Sequence, residues 1–154
     1  MAANAQAMCT SFKQDLLNGI HAFGTTVPTR VAGTPDAFKA ALYVTGSSLG
    51  ATTTDYSTSG EVTGTGYTAG GVSVSFATVP TTSGTSAFVT PSASIVFTGV
   101  TLATAFDCVL LYNNSAAGKN AVSVHTFGAQ TITAGTLTLT MPVNASGTAL
   151  LQIN

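Results

Sequence analysis

Charge is what this chain has least of. Only 6% of its 154 residues are charged, four Lys and Arg against five Asp and Glu, for a net charge of -1; a soluble domain ordinarily carries about 25%. So few basic residues cannot neutralise a phosphate backbone, which excludes a nucleic-acid partner. Tryptophan is absent, and Cys9 and Cys108 are the two cysteines. Two cysteines make no disulfide framework, and both are read as reduced thiols in packed surroundings. No apolar run approaches the ~18–20 residues of a membrane span, so no membrane partner is expected. Met1 to Ala7 contains neither a basic stretch nor an apolar one, so no secretory signal is expected. Without export, the sequons Asn113-Asn114-Ser115 and Asn144-Ala145-Ser146 carry no weight.

What fills the gap is hydroxyl: 28 Thr and 14 Ser supply the polarity that ions usually supply. Hydrophobic residues make up 45%, which excludes the disorder that comes from few hydrophobes and high charge. The length fits one core of moderate size.

One helix is expected, near the N-terminus. Phe12, Leu16, Ile20 and Phe23 recur at steps of three and four with Leu17 beside them, the stripe of a short amphipathic helix. Ser11 and Gln14 read as a capping box, and Gly24 stands where a C′ glycine ends a helix; Gly19 weakens the interior. A helix of about 13 residues is marginal alone, so the stripe packs either on its own domain or on a neighbouring subunit. The Pro- and Gly-containing connector from Gly24 to Pro35 reads as a tether. It favours the second option and makes Phe12, Leu16, Ile20 and Phe23 the candidate interface anchor. Residues 1–35 are thus read as helix and tether, and 36–154 as the body.

After Pro35 the apolar period changes from 3.6 to 2. Phe38, Ala40 and Leu42 alternate with Lys39, Ala41 and Tyr43 as a half-buried strand. Val72 to Phe76, Phe88-Val89, Ile95 to Phe97, Phe106 to Tyr112, Val122 to Phe127, Thr136 to Met141 and Leu150 to Ile153 follow. About eight to ten short strands, with no helices left to cross between parallel ones, predict a mainly β fold, an antiparallel sandwich or jelly roll. Thr suits its outer face, because the β-branch favours extended backbone and the hydroxyl is hydrated without charge. The Thr- and Gly-rich stretch from Ser47 to Gly71 reads as long loops.

Three patterns resemble chemistry. Gly46-Ser47-Ser48-Leu49-Gly50 fits G-x-S-x-G, with Asp107 and His125 following in the order of a hydrolase triad. A nucleophile elbow needs a helix after its serine, and Ala51-Thr52-Thr53-Thr54 is a poor helix start. Gly64-Thr65-Gly66-Tyr67-Thr68-Ala69 fits a loose dinucleotide fingerprint. A strand follows instead of a helix, and no carboxylate stands between Glu61 and Asp107, so a Gly-rich turn is the better reading. His21, His125, Cys9 and Cys108 have no short-range zinc spacing. From Val62 to Asn154 the fixed charges are Asp107 and Lys119 alone. Acid–base catalysis wants opposed titratable groups, so no enzyme, cofactor or metal is expected.

Two blocks carry a resemblance. The first is Phe38-Lys39-Ala40-Ala41-Leu42-Tyr43, continuing through Tyr56, Gly60-Glu61-Val62 and Gly64 to Gly71. The second is Leu111-Tyr112-Asn113, Asn120-Ala121-Val122, Phe127-Gly128 and Gly135 to Pro142. Together they resemble a family of small structural proteins of tailed bacteriophages, the head decoration or cement proteins. Met141, where an aromatic is expected, and Thr126, where an acid is expected, depart from the pattern. The resemblance implies a jelly-roll-like domain on the outside of the capsid, made in the host cytoplasm. It implies no catalysis. The implied partners are the major capsid protein and other copies of the chain, as a dimer or trimer. A second expectation keeps the chain in the virion as a tail, neck or fibre component that binds the host surface. The absence of Trp and of clustered acids counts against a glycan site there.

Overall fold

The computed structural model describes residues 3–17, 20, 21, 23, 24 and 34–154. Within them lie strands β1 (Ala7–Met8), β2 (Phe38–Val44), β3 (Val72–Val74), β4 (Thr81–Ser83), β5 (Ser86–Val89), β6 (Ile95–Asn113), β7 (Ala121–Leu139) and β8 (Leu151–Ile153), with one helix, α1 (Thr10–Leu17). They build two sheets, a five-stranded one in the order β1-β7-β6-β2-β3 and a three-stranded one in the order β4-β5-β8. Every pairing is antiparallel. The protein is mainly β, as its period-2 pattern predicts.

Four expected strands are really two. Ile95 to Phe97 and Phe106 to Tyr112 belong to one 19-residue strand, and Val122 to Phe127 and Thr136 to Leu139 to another. The small residues between them are bulges, where one strand carries extra residues and bends without ending. Register shifts fall between Phe97 and Val100 and between Val100 and Leu102. Gly99 (φ 65°) and Ala134 (φ 46°) sit at these bends, and the Ala134 N–H is held by Thr101 Oγ1 at 3.0 Å. Strands β1 and β4 were not visible in the pattern, being two and three residues long.

Strand β2 corrects a second expectation. It is buried on both faces, with Ala40, Ala41 and Leu42 at 0% exposure and Tyr43 at 1%. The strand lies between β3 and β6. On one face Phe38 packs against Phe23 and Phe76, with ring centroids 4.6 and 5.1 Å away. The other face carries Tyr43 and lies under the segment from Thr45 to Gly71. That segment has no named strand, as expected, yet it is tied to the sheet by isolated bridges, Tyr43 to Glu61 and Thr65 to Thr101.

The helix is shorter than its apolar stripe. It ends at Leu17, and Ile20, His21 and Phe23 lie outside it. Ser11 falls inside the first turn, and its hydroxyl donates to Thr53 O instead of capping. Gly24 has the left-handed φ of 98°, but no helix leads into it. Gly19 and residues 25–33 of the expected tether lie outside the described residues. The N-terminal segment itself is bound to the body. Strand β1 pairs with Val124 and Ser123, and Cys9, Phe12 and Phe23 belong to the same buried cluster as β2, β6 and β7.

Gly71 holds the crossing of the long segment over β2. Its φ is 68°, and a Cβ there would stand 1.8 Å from Ala40 O and 2.6 Å from Ala40 C. The obstacle is the backbone of a central strand, which has no rotamer to yield. Gly71→Ala is expected to destabilise the fold by more than about 3 kcal/mol, or to abolish it. Gly128→Ala, whose Cβ meets nothing within 4 Å, is expected to stay within about 0.5 kcal/mol. Urea unfolding of the two variants tests the contrast.

Candidate functional site

Beyond Ala40, β2 loses β3 as its neighbour, and its next backbone groups need other partners. The long segment supplies them: Val44 N–H donates to Gly60 O at 2.9 Å, and Val62 N–H to Leu42 O at 3.0 Å. Leu42 N–H donates to the Tyr67 hydroxyl at 3.0 Å. This lining places Glu61, 8% exposed, against the sheet.

A carboxyl taken out of water demands donors, and Glu61 has three. Tyr56 Oη donates to Oε2 at 2.6 Å. Tyr67 Oη donates to Oε1 at 2.7 Å, and so does Gly70 N–H at 2.7 Å. Tyr112 Oη in turn donates to Gly70 O at 2.8 Å, so one residue links the carboxyl to β6. The Tyr56 and Tyr112 rings stack with centroids 4.6 Å apart, and Lys119 Nζ lies 5.1 Å over the Tyr56 ring. Tyr43 Oη donates to Ser57 O at 2.5 Å. All four tyrosines of the chain thus gather around one acid.

These phenols serve as donors only while protonated, and their surroundings keep them so. Burial, then the hydrogen bond to Glu61, holds Tyr56 and Tyr67 well above the usual range. Burial, with the charge of Glu61 behind it, pushes Tyr112 up to about 12. The sequence signal for the cluster is slight. Glu61 is one of two acids, with Asp55, in a Gly- and Thr-rich stretch, with tyrosines five residues before it and six after.

The patterns that resemble chemistry come apart. Ser48 Oγ turns to Gly46 O at 3.5 Å. Asp107 Oδ1 accepts from Asn4 Nδ2 at 2.6 Å, and His125 Nε2 pairs with Ser123 Oγ at 2.8 Å. No hydrogen bond among the described residues joins the three. The Gly64 to Ala69 segment runs against β6, where Thr101 N–H donates to Thr65 O at 2.8 Å. A Cβ on Gly64 or Gly66 would meet Thr101 O at 2.0 Å or Gly99 O at 2.3 Å. These glycines answer to close strand approach, without need of a phosphate. Both cysteines are buried, and burial pushes their thiols up to about 11 at Cys9 and about 12 at Cys108. Among the described residues no three His, Cys, Asp or Glu side chains cluster as metal ligands, and no helix is long and apolar enough to cross a membrane.

The anchor stripe divides. Phe12 and Phe23 are buried at 2% and 6% exposure, and they meet edge to face at 6.0 Å beside Phe38 and Phe76. Leu16 is half-buried against the same cluster, and Ile20 is exposed at 38%.

A cleft of about 440 Å³ opens between the sheet face at Ala40, Val109 and Leu111 and the chain at Met141 and Leu150. His125 lines it among uncharged side chains, and burial lowers its pKa to about 4.

Comparison with protein-family models, curated proteins and solved structures finds no significant match.

Two outcomes follow from this geometry. Glu61→Ala strands two phenols and an N–H, with an expected loss on the order of 3–5 kcal/mol by urea unfolding; Tyr67→Phe, which leaves Leu42 N–H and one carboxyl oxygen short, is expected to lose about 2 kcal/mol. The second concerns pH. His125 is neutral in the fold down to about pH 4, whereas in the unfolded chain it gains its proton near 6.5. The unfolded state therefore binds more protons between these values, and stability falls as pH drops from about 6.5 to 4, by about 3 kcal/mol. His125→Gln is expected to remove that part of the slope in thermal melts across the window.

Proposed function

We propose that this chain is a non-catalytic structural protein of a tailed-bacteriophage virion. In this reading it is a cement or decoration protein on the outer face of the head, built on a sandwich of jelly-roll type. The observation that carries the reading is the coincidence of the resembling blocks with the parts that close the fold. Tyr56, Glu61, Tyr67, Gly70 and Gly71 of the first block are the residues that fasten the long segment over β2. Tyr112 and Asn113 of the second block tie β6 to that segment and to the N-terminal chain, Asn113 through Asp36 at 2.7 Å. The two sheets share one apolar cluster, which supports the sandwich.

A cement protein binds the assembled shell and not its separate subunits, so it stabilises the shell by mass action, repeated over many equivalent sites. An exterior rich in hydroxyls and poor in ions docks without stripping water from fixed charges. The major capsid protein is the proposed partner. Of the candidate anchors, Ile20 offers the exposed apolar surface for it, and Leu16 is half-buried against the core.

Two measurements test the reading. Purified particles are expected to hold on the order of hundreds of copies. A count of about a dozen would move the chain to the tail or neck, and absence from particles would end the proposal. Binding to shells that lack the protein is expected to change less than about twofold between low salt and 0.5 M NaCl; a steep loss there would mean that ion pairs hold it.

A further inference from the structure

The five-stranded sheet closes one side and leaves the other open. On the β2 side the edge beyond β3 is covered by Gly60 to Val62 and the Tyr67 hydroxyl. On the β7 side the cover is β1, which pairs with Ser123 and Val124. From Thr126 to Leu139, β7 has β6 as its strand partner, and among the described residues no backbone pairs with its outer edge. An uncovered edge presents a row of backbone donors and acceptors that a further strand can complete.

The bulges narrow the stretch that can be used. Shifts around Phe106, Leu102 and Val100 leave the pairing of β7 irregular from Phe127 to Thr136, and such irregularity blunts an edge. After Thr136 the register is unbroken, with Leu137, Thr138 and Leu139 against Phe97, Val96 and Ile95. The strand ends at Leu139, and Thr140 and Met141 follow it before Pro142. The other outer strands, β1, β3, β4 and β8, are two or three residues each.

With one residue on either side, the regular stretch reads Thr136-Leu137-Thr138-Leu139-Thr140, which is the same in both directions. We infer that it pairs with a second copy of this chain, antiparallel across a two-fold axis at Thr138. In that register Thr136 stands opposite Thr140 of the copy and Leu137 opposite Leu139, so every residue meets one that suits it. The devices that prevent such self-pairing in other sheets are charges, especially Lys, and Pro on the edge. Here there is no fixed charge from Asn120 to Asn154 and no proline before Pro142. The side chains fit the arrangement. Thr136, Thr138 and Thr140 are exposed, whereas Leu137 is buried and Leu139 half-buried, and Leu137 to Met141 and Leu150 share the lining of the cleft. Pairing would carry that apolar row from one copy into the next, and both sheets would become one. None of this depends on a capsid, so it stands apart from the proposed function.

The test is sedimentation of the full chain from 1 to 200 µM, with three variants. The wild type is expected to associate to a dimer over this range. Thr138→Lys places two ammonium groups face to face at the axis; it is expected to weaken the dimer at least tenfold with unchanged circular dichroism and melting. Thr138→Cys is expected to form an intermolecular disulfide under mild oxidation, because paired residues at the axis lie within disulfide reach. The native Cys9 and Cys108, both at 0% exposure, stay out of it. Thr131→Cys, exposed on the irregular part of the edge, is expected to cross-link far more slowly. A wild type that stays monomeric throughout overturns the inference. So does a folded Thr138→Lys chain that still dimerises as tightly, or a Thr131→Cys chain that cross-links as fast as Thr138→Cys.

Discussion

Glu61 is the residue on which the long segment depends. A buried carboxyl is destabilising by several kcal/mol unless donors replace its water. Here two phenols and one backbone N–H do so at 2.6–2.7 Å. Each donor comes from a different point of the stretch between Tyr56 and Gly70, so the carboxyl draws that stretch into one layer over β2. Tyr67 does double service, accepting from Leu42 N–H while donating to Glu61. The sheet's backbone and the carboxyl are thereby coupled through one oxygen. The network is stringent as well as stabilising, since removing any member leaves another buried group unpaired.

The same economy of charge explains how the two sides of the sheet differ. On the β2 side a polar loop with an acid at its centre completes the ladder. On the β7 side, from Thr126 to Leu139, the chain carries no charged side chain that would repel a neighbouring strand. Irregular pairing protects part of that edge, around Phe127 to Thr136. A bulge twists and breaks a template without requiring charge, so a neutral chain can still limit where it associates. What remains straight is short, and a short self-complementary edge favours a closed two-fold pair over an open fibre, because each copy presents one such stretch.

The β class was legible because period-2 alternation survives wherever one face is buried and the other is wet. It failed where that contrast vanished. Strand β2 is buried on both faces, and its Ala-rich core gives no sign of the layer that covers it. Breaks were misread for a related reason. Gly99 and Ala134 look like turn residues, but a residue with positive φ serves a bulge as well as a turn, and only pairing on both sides tells them apart. The helix was overextended because Ile20 and Phe23 keep the helical spacing from Phe12 and Leu16 while standing outside the helix. Phe23 is drawn instead to the stack with Phe38. The Glu61 cluster was nearly invisible, since its four tyrosines are spread from Tyr43 to Tyr112 and only the fold brings them together.

A brace for a large assembly has to keep its shape while many weak contacts act on it at once, and it has to meet a partner without a large desolvation penalty. These needs pull against each other in an ordinary domain, where surface ions give solubility but resist docking. In this chain the few acids that could oppose docking are mostly engaged within the fold: Glu61 by its tyrosines, Asp107 by Asn4, Asp36 by Asn113. Apart from a few ions such as Asp55 and Lys119, the exposed polarity is Thr and Ser, whose hydroxyls can exchange water for a partner's groups at little net change. Solubility then rests on hydroxyl density and on how little edge is left straight, and both properties are compatible with adhesion. That balance suits the proposed place on a shell, where the partner is presented many times over and modest affinity at each site is enough.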